Sequence, residues 1–154
     1  MKLSDFLGEN VIKTDLEAED KMEAIEELID LLISEHEISL RDRDEVLDVV
    51  FQRERSMSTG VGETIGIPHG SVDCIDDIVG AIGISKKGID FDSFDGAPVH
   101  IVILLLVPKE KFGKHIKTLA QIARTLGQVD IRNSICSADS SEKVLEILEK
   151  AERG

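Results

Sequence analysis

Tryptophan and tyrosine are absent from the 154 residues, and five phenylalanines carry all the aromatic bulk. With so few flat side chains on which bases can stack, a single-strand nucleic-acid platform is not expected. Positive charge is scarce as well: 18 Lys and Arg stand against 31 Asp and Glu, for a net charge of −13. Binding a phosphate backbone requires clustered cations, and so does binding an anionic membrane surface. Neither partner is expected. The longest apolar run, Ile101 to Val107, falls far short of the ~20 residues of a membrane helix, so no membrane insertion is expected. Only two cysteines occur, Cys74 and Cys136. They lack C-x-x-C spacing and read most simply as free buried thiols in a reducing compartment, with a disulfide as the lesser alternative. The opening Met1-Lys2-Leu3-Ser4-Asp5-Phe6 lacks the basic and apolar regions of a secretion leader, and a cytoplasmic location is expected. No repeat, low-complexity tract or linker is visible, so residues 1–154 read as one domain.

What is present is amphipathic. Residues 20 to 34 place Met22, Ile25, Leu28, Ile29 and Leu32 at helical spacing. A second helix over 42 to 55 would turn Val46, Val49, Val50 and Phe51 inward. Residues 56 to 71 carry Gly60, Gly62, Gly66, Gly70 and Pro68, which predicts a loop with at most a short strand at Ile65–Ile67. Strands are expected at Ile78–Ile84 and Val99–Val107. The second is apolar almost throughout, as in a central strand covered on both faces. A short strand at Ile89-Asp90-Phe91 and a turn at Asp95-Gly96-Ala97-Pro98 are expected between them. Residues 114 to 127 form a further helix ending at Gly127. A last helix over 140 to 150 carries a capping-box pattern from Asp139 to Glu142. Helices mixed with a few strands predict an α/β sandwich.

Four histidines are the candidates for chemistry near neutral pH. His36 reads as exposed, His100 as a hydrogen-bonded strand-end residue, and His115 as a packed residue at a helix start. His69 differs, because it lies between Pro68 and Gly70 at the end of the glycine-rich loop. Such a loop can hold one side chain and several N–H groups in a fixed array, and Ser58 and Thr59 add hydroxyls suited to an anion. Read from these residues alone, a structural loop fits as well as an active one. No Walker, dinucleotide, H-E-x-x-H or G-x-S-x-G pattern is present, so no metal site, cofactor or serine nucleophile is expected.

Arg53-Glu54-Arg55-Ser56-Met57-Ser58-Thr59-Gly60-Val61-Gly62, followed by Ile65-Gly66-Ile67-Pro68-His69-Gly70, resembles the active-site signature of the enzyme IIA domains of the bacterial phosphotransferase system. The resemblance is to the fructose/mannitol class, which includes nitrogen-type regulatory members. It continues through Ile89–Asp92, Asp95–Val99, Leu105–Pro108 and the run His115, Leu119, Ile122, Ala123, Arg124. Three positions depart from the usual pattern: Thr64 and Gly66 stand where Gly and Ala are common, and Met57 where Gly is frequent.

The resemblance implies a three-layer α/β sandwich with a mixed central sheet flanked by helices. It also implies a phosphorelay from the phosphocarrier protein HPr to a histidine here, and on to a IIB component for sugar uptake. A regulatory member would instead signal its phosphorylation state to protein targets. His69 would be the phosphorylated nucleophile, and His115 a hydrogen-bond donor to the phosphoryl group. Arg53 would grip phosphoryl oxygens, with Ser58 and Thr59 as hydroxyl donors, while Arg55 reads as a solvated helix-end charge. No metal or organic cofactor is implied. Asp73, Asp76 and Asp77, and the cluster Lys109, Lys111, Lys114 and Lys117, are candidate docking charges or plain solvated surface.

Overall fold

The computed structural model describes residues 2–153, apart from the side chains of Phe112 and Lys114. Its organising element is the strand Val99–Pro108, in which every residue but His100 is buried. An aliphatic side chain taken fully out of water contributes about 1.5–3 kcal/mol, so this run nucleates a core on both of its faces. Numbering in chain order, the strands are β1 (Ile12–Lys13), β2 (Gly60–Gly62), β3 (Ile65–Gly66), β4 (His69–Val72), β5 (Val79–Ile89) and β6 (Val99–Pro108). The sheet order is β1-β5-β6-β3-β2, with β4 following β3 along the same edge of β6. β5 runs antiparallel to β6, whereas β3 and β4 run parallel to it, placing Ile65 opposite Ile101 and His69 opposite Leu105. Pro68 has no N–H to give the ladder, so the strand breaks there, although its carbonyl still accepts from Leu105 N at 3.0 Å.

The helices are α1 (Lys21–Ser34), α2 (Arg43–Ser56), α3 (Phe112–Leu126), α4 (Val129–Ser137) and α5 (Ser141–Arg153). α1 packs on α2 and across β5 and β6, while α2 covers β4. α3, α4 and α5 pack in series and cover β6, β5 and β1 from the other side. The result is the expected α/β sandwich with a mixed sheet between helix layers. Asp20 caps α1 by accepting from Glu23 N at 2.9 Å, and Ala24, Ile25, Leu28, Ile29 and Leu32 form its buried stripe.

Several expectations shift. α2 buries Val46, Leu47, Val50 and Glu54, leaving Val49 and Phe51 half-buried. The cap of α5 is Ser140, whose Oγ accepts from Lys143 N at 3.1 Å, rather than Asp139. Ile89 ends the long β5, and residues 90–98 are loop rather than a separate strand. The loop expected over 56–71 contains three short strands, and α4 adds a helix the periodicity does not reveal.

Candidate functional site

The site begins with alternation along β4. Gly70 and Val72 are buried, while His69 and Ser71 are half-buried. A Cβ on Gly70 would lie 2.8 Å from Val49 Cγ1, so α2 approaches this strand as closely as a glycine permits. His69 therefore points away from the core of α2, toward α3. It lines a cleft of about 330 Å³ with Arg53 from α2, Met57 and Val61 from the intervening segment, Phe94 from the 90–98 loop, and Leu119 from α3.

His69 is oriented by its own turn. Its Nδ1 lies 2.8 Å from the Ile67 carbonyl oxygen. A carbonyl only accepts, so Nδ1 carries the hydrogen and the lone pair resides on Nε2. Burial pushes the His69 pKa below 6.5, and the charge of Arg53 pushes the same way, against the Ile67 hydrogen bond and Glu54. The ring is therefore neutral near pH 7. Arg53 is half-buried, and its Nη1 donates to the Met57 carbonyl at 2.7 Å, one of five N–H groups on a guanidinium.

The other sequence candidates divide. Ser58 and Thr59 line the cleft, but their hydroxyl hydrogens are directed elsewhere. Ser58 Oγ donates to the Phe91 carbonyl and accepts from Gly60 N at 3.1 Å. Thr59 Oγ1 donates to Glu54 Oε1 at 2.6 Å. In this arrangement both hydroxyls are engaged within the loop and its neighbours. His115 lies one turn before Leu119, only 3% exposed, with Nε2 3.9 Å from Asp77 Oδ1. At the start of α3, its Nε2 faces Asp77. Arg55 lies over the Phe51 ring at 5.6 Å, as a helix-end charge would. His100 Nδ1 lies 2.7 Å from the Ser85 carbonyl oxygen, and His36 is exposed at the end of α1.

Two of the candidate docking lysines reach the aspartate run, one to a carboxylate and one to a backbone carbonyl. Lys109 Nζ lies 3.2 Å from Asp73 Oδ2, and Lys111 Nζ donates to the Asp76 carbonyl at 2.8 Å. Exposed pairs of this kind contribute little to stability, and neither run stands as a patch of one sign. Lys117 is exposed, and the Lys114 side chain lies outside the described residues. A larger, more open concavity of about 500 Å³ lies at the N-terminal turns, lined in part by Asp5, Glu37 and Asp77, and has neither His nor Cys in its lining. Among the described residues no group of three or more His, Cys, Asp or Glu is placed to hold a metal ion.

Two features escaped the sequence reading. Glu54 is a carboxylate only 2% exposed. Its signal was an acid four residues beyond Val50 and eight beyond Val46, on the apolar stripe of α2. The second is the cleft's apolar rim, where Phe94 is 79% and Met57 60% exposed. Large apolar side chains in the loops flanking the glycine-rich segment were the signal there.

Comparison with known proteins bears on this geometry. Residues 5–151 match the family described as "Phosphoenolpyruvate-dependent sugar phosphotransferase system, EIIA 2". The chain belongs to this EIIA family. It is 36% identical to the "PTS system fructose-specific EIIA component" of Haloferax volcanii, covering 81% of this chain and 80% of that one. It is 29% identical to the "PTS system fructose-specific EIIABC component" of Bacillus subtilis across 99% of its own length but spans only 24% of that relative. Among solved structures, Nitrogen Regulatory Protein IIA-Ntr from Neisseria meningitidis matches with a TM-score of 0.86 and 33% identity, covering 95% of this chain and 98% of that one.

The three departures of this EIIA chain from the usual motif have physical readings. A Cβ at Gly66 would sit 2.8 Å from the Phe91 ring, so an alanine has no room. Thr64 has φ 70 and Glu63 φ 56, so both central residues of the β2–β3 turn are left-handed. For the β-branched Thr64 this is strained. The turn is held because the Thr64 carbonyl accepts from His100 N at 2.9 Å and from Ile101 N at 3.2 Å. Met57 has φ −165, extended backbone open to any residue, and its side chain joins the cleft rim.

Proposed function

We propose that this chain is a histidine phosphocarrier, with His69 as the phosphorylated nucleophile. The observation that carries this reading is the Nδ1 hydrogen bond to the Ile67 carbonyl, which leaves the Nε2 lone pair on a neutral ring beside a guanidinium. Nε2 attacks phosphorus as the phosphorus–nitrogen bond of phosphorylated HPr breaks. No net proton moves when each phosphorylated ring keeps the proton on its other nitrogen, and for His69 that is the one shared with Ile67. Phosphoryl transfer needs positioning and charge stabilisation more than covalent help, and Arg53 supplies a fixed cation at the cleft edge. The apolar rim of Met57, Val61 and Phe94 offers contact area to HPr and IIB in turn.

Sugar uptake through a fructose- or mannitol-type IIB component in the cytoplasm is the assignment we favour, with residues 1–154 acting as one EIIA unit. The similarity to the Neisseria IIA-Ntr protein supports a second reading, in which a regulatory target reads the phosphorylation state of His69. No helix among the described residues is long and apolar enough to cross a membrane.

Incubation with phosphorylated HPr should add one acid-labile phosphoryl mass, lost in His69→Ala. Uptake by His69→Ala would refute the assignment. Discharge into a fructose- or mannitol-type IIB supports transport. Retention of the group, with capture of a non-transport protein by one state only, supports the regulatory reading. His115→Ala tests the remaining histidine: slower transfer at unchanged melting would show phosphoryl contact, and lower melting at unchanged transfer would show packing.

A further inference from the structure

We propose that Glu54 is a positioning residue for His69, acting through Thr59 and Ile67. The carboxylate is buried at the last turns of α2, where an ionised group persists only if its oxygens are satisfied. They are. Oε2 accepts from Thr59 N at 2.9 Å and from Lys21 Nζ at 3.2 Å, and Oε1 accepts from Thr59 Oγ1 at 2.6 Å. Lys21, at the start of α1, lies 5.5 Å from the Phe91 ring centroid and 3.7 Å from Asp92 Oδ2. One carboxylate thus ties α1, α2 and the start of the glycine-rich segment together.

The linkage continues to the nucleophile. The Thr59 carbonyl accepts from Ile67 N at 3.1 Å, and the Ile67 carbonyl accepts from His69 Nδ1 at 2.8 Å. Between Thr59 and Ile67 lie Gly60, Gly62 and Gly66, whose backbone preferences are weak. Pairing with β6 holds β3 and β4 to the sheet on either side of Ile67, and the anchor at Thr59 fixes where α2 stands against that segment. Arg53 precedes Glu54 on the same helix, so that anchor also sets where the guanidinium stands against the imidazole. Nucleophile and cation sit on different elements, and Glu54–Thr59 is the brace between them. The Ser58 hydroxyl, donated to the Phe91 carbonyl, ties the segment to the 90–98 loop and cannot supply this link. Glu54 acts on the site through Thr59, so its role is positioning.

The kinetic arm of the test rests on the phosphocarrier reading; the spectroscopic arm does not. Thr59→Val removes the hydroxyl link at nearly constant volume, and Thr59→Ser restores it. A double variant, Lys21→Met with Glu54→Gln, deletes both charges together and leaves no lone buried ion. Imidazole nitrogen chemical shifts report which ring nitrogen of His69 carries hydrogen in the unphosphorylated protein. Transfer from phosphorylated HPr is measured alongside, with kcat and KM separated. Thr59→Val and the double variant should lose the Nδ1–H preference and slow kcat by ~10²-fold at unchanged KM, with both restored in Thr59→Ser. A wild-type tautomer in Thr59→Val overturns the proposal, whatever its melting temperature. If the double variant does not fold, Thr59→Val decides. If wild-type protein takes up no phosphoryl group, the carrier reading falls while the tautomer still decides the role of Glu54.

Discussion

Strand β6 and the segment from Met57 to Val72 lie side by side, yet they are held by opposite means. β6 is aliphatic and buried almost end to end, so its order derives from burial. The neighbouring segment is ordered by polar atoms, including Thr59 on Glu54, Ser58 on Phe91, His69 on Ile67 and Glu63 N on Asp95 at 2.8 Å. It also contains two non-glycine residues at positive φ. Burial is non-directional and tolerates exchange of one aliphatic residue for another of similar size. A hydrogen-bonded segment fixes side-chain direction, which a nucleophile requires, and depends on single atoms.

Leu104→Ala should have the largest effect on stability. Its side chain is fully buried, and truncation should cost about 2–5 kcal/mol in denaturant unfolding. The folded fraction should keep the wild-type pH profile of His69. A shifted profile would mean that strand and segment are not independent. Arg53→Ala should do the reverse, slowing phosphoryl uptake by ~10²–10³-fold, or about 2–4 kcal/mol of barrier. Its melting temperature should barely move, because Arg53 is half-buried with one hydrogen bond to Met57. Wild-type transfer kinetics would remove it from the mechanism.

Thr64→Gly should raise stability by about 1 kcal/mol, since left-handed backbone costs a side-chain-bearing residue roughly 1–2 kcal/mol and glycine loses part of that in unfolded-state entropy. Unchanged or reduced stability would show that the turn is not strained. The smallest effect concerns pH. The folded His69 pKa lies below the unfolded value, so acid protonates the unfolded chain first. The stability this supplies is complete above about pH 6.5 and is lost as pH falls through the folded value. The melting difference between wild type and His69→Gln should therefore change between about pH 7.5 and 5.5, to the disadvantage of wild type in acid. A pH-independent difference would contradict the shift.

The same contrast decides how much was legible in advance. β6, α1, α3 and α5 were readable because the burial of Leu104 or Ile25 is written in local periodicity. α4 was not: Ile135 is its buried apolar residue, and Asp130, Arg132 and Asn133 break the pattern. Tertiary packing against α3 and α5 settles it. β1 is two residues long and exists through pairing with β5, a partner distant in sequence. At the site, the glycine–proline loop and the family signature drew attention to His69 and Arg53. Which atom each hydroxyl would address was not readable, because Ser58 and Thr59 select Phe91 and Glu54 only once α2 and the 90–98 loop are in place.

His69 belongs to both regions, its ring to the polar segment and its backbone to the sheet. Residues His69 to Val72 pair in parallel with the buried run Leu105 to Pro108. Amide protons at Gly70 and Val72 should therefore exchange with deuterium only through global unfolding, while Gly62 and Glu63 at the turn exchange through local opening. Exchange at Gly70 as fast as at Gly62 would contradict this. Functional residues usually occupy the least protected parts of a protein, whereas here the candidate nucleophile is anchored to a strand paired with the buried centre of the sheet. Repeated loading and unloading of its ring would then leave the scaffold beneath it undisturbed.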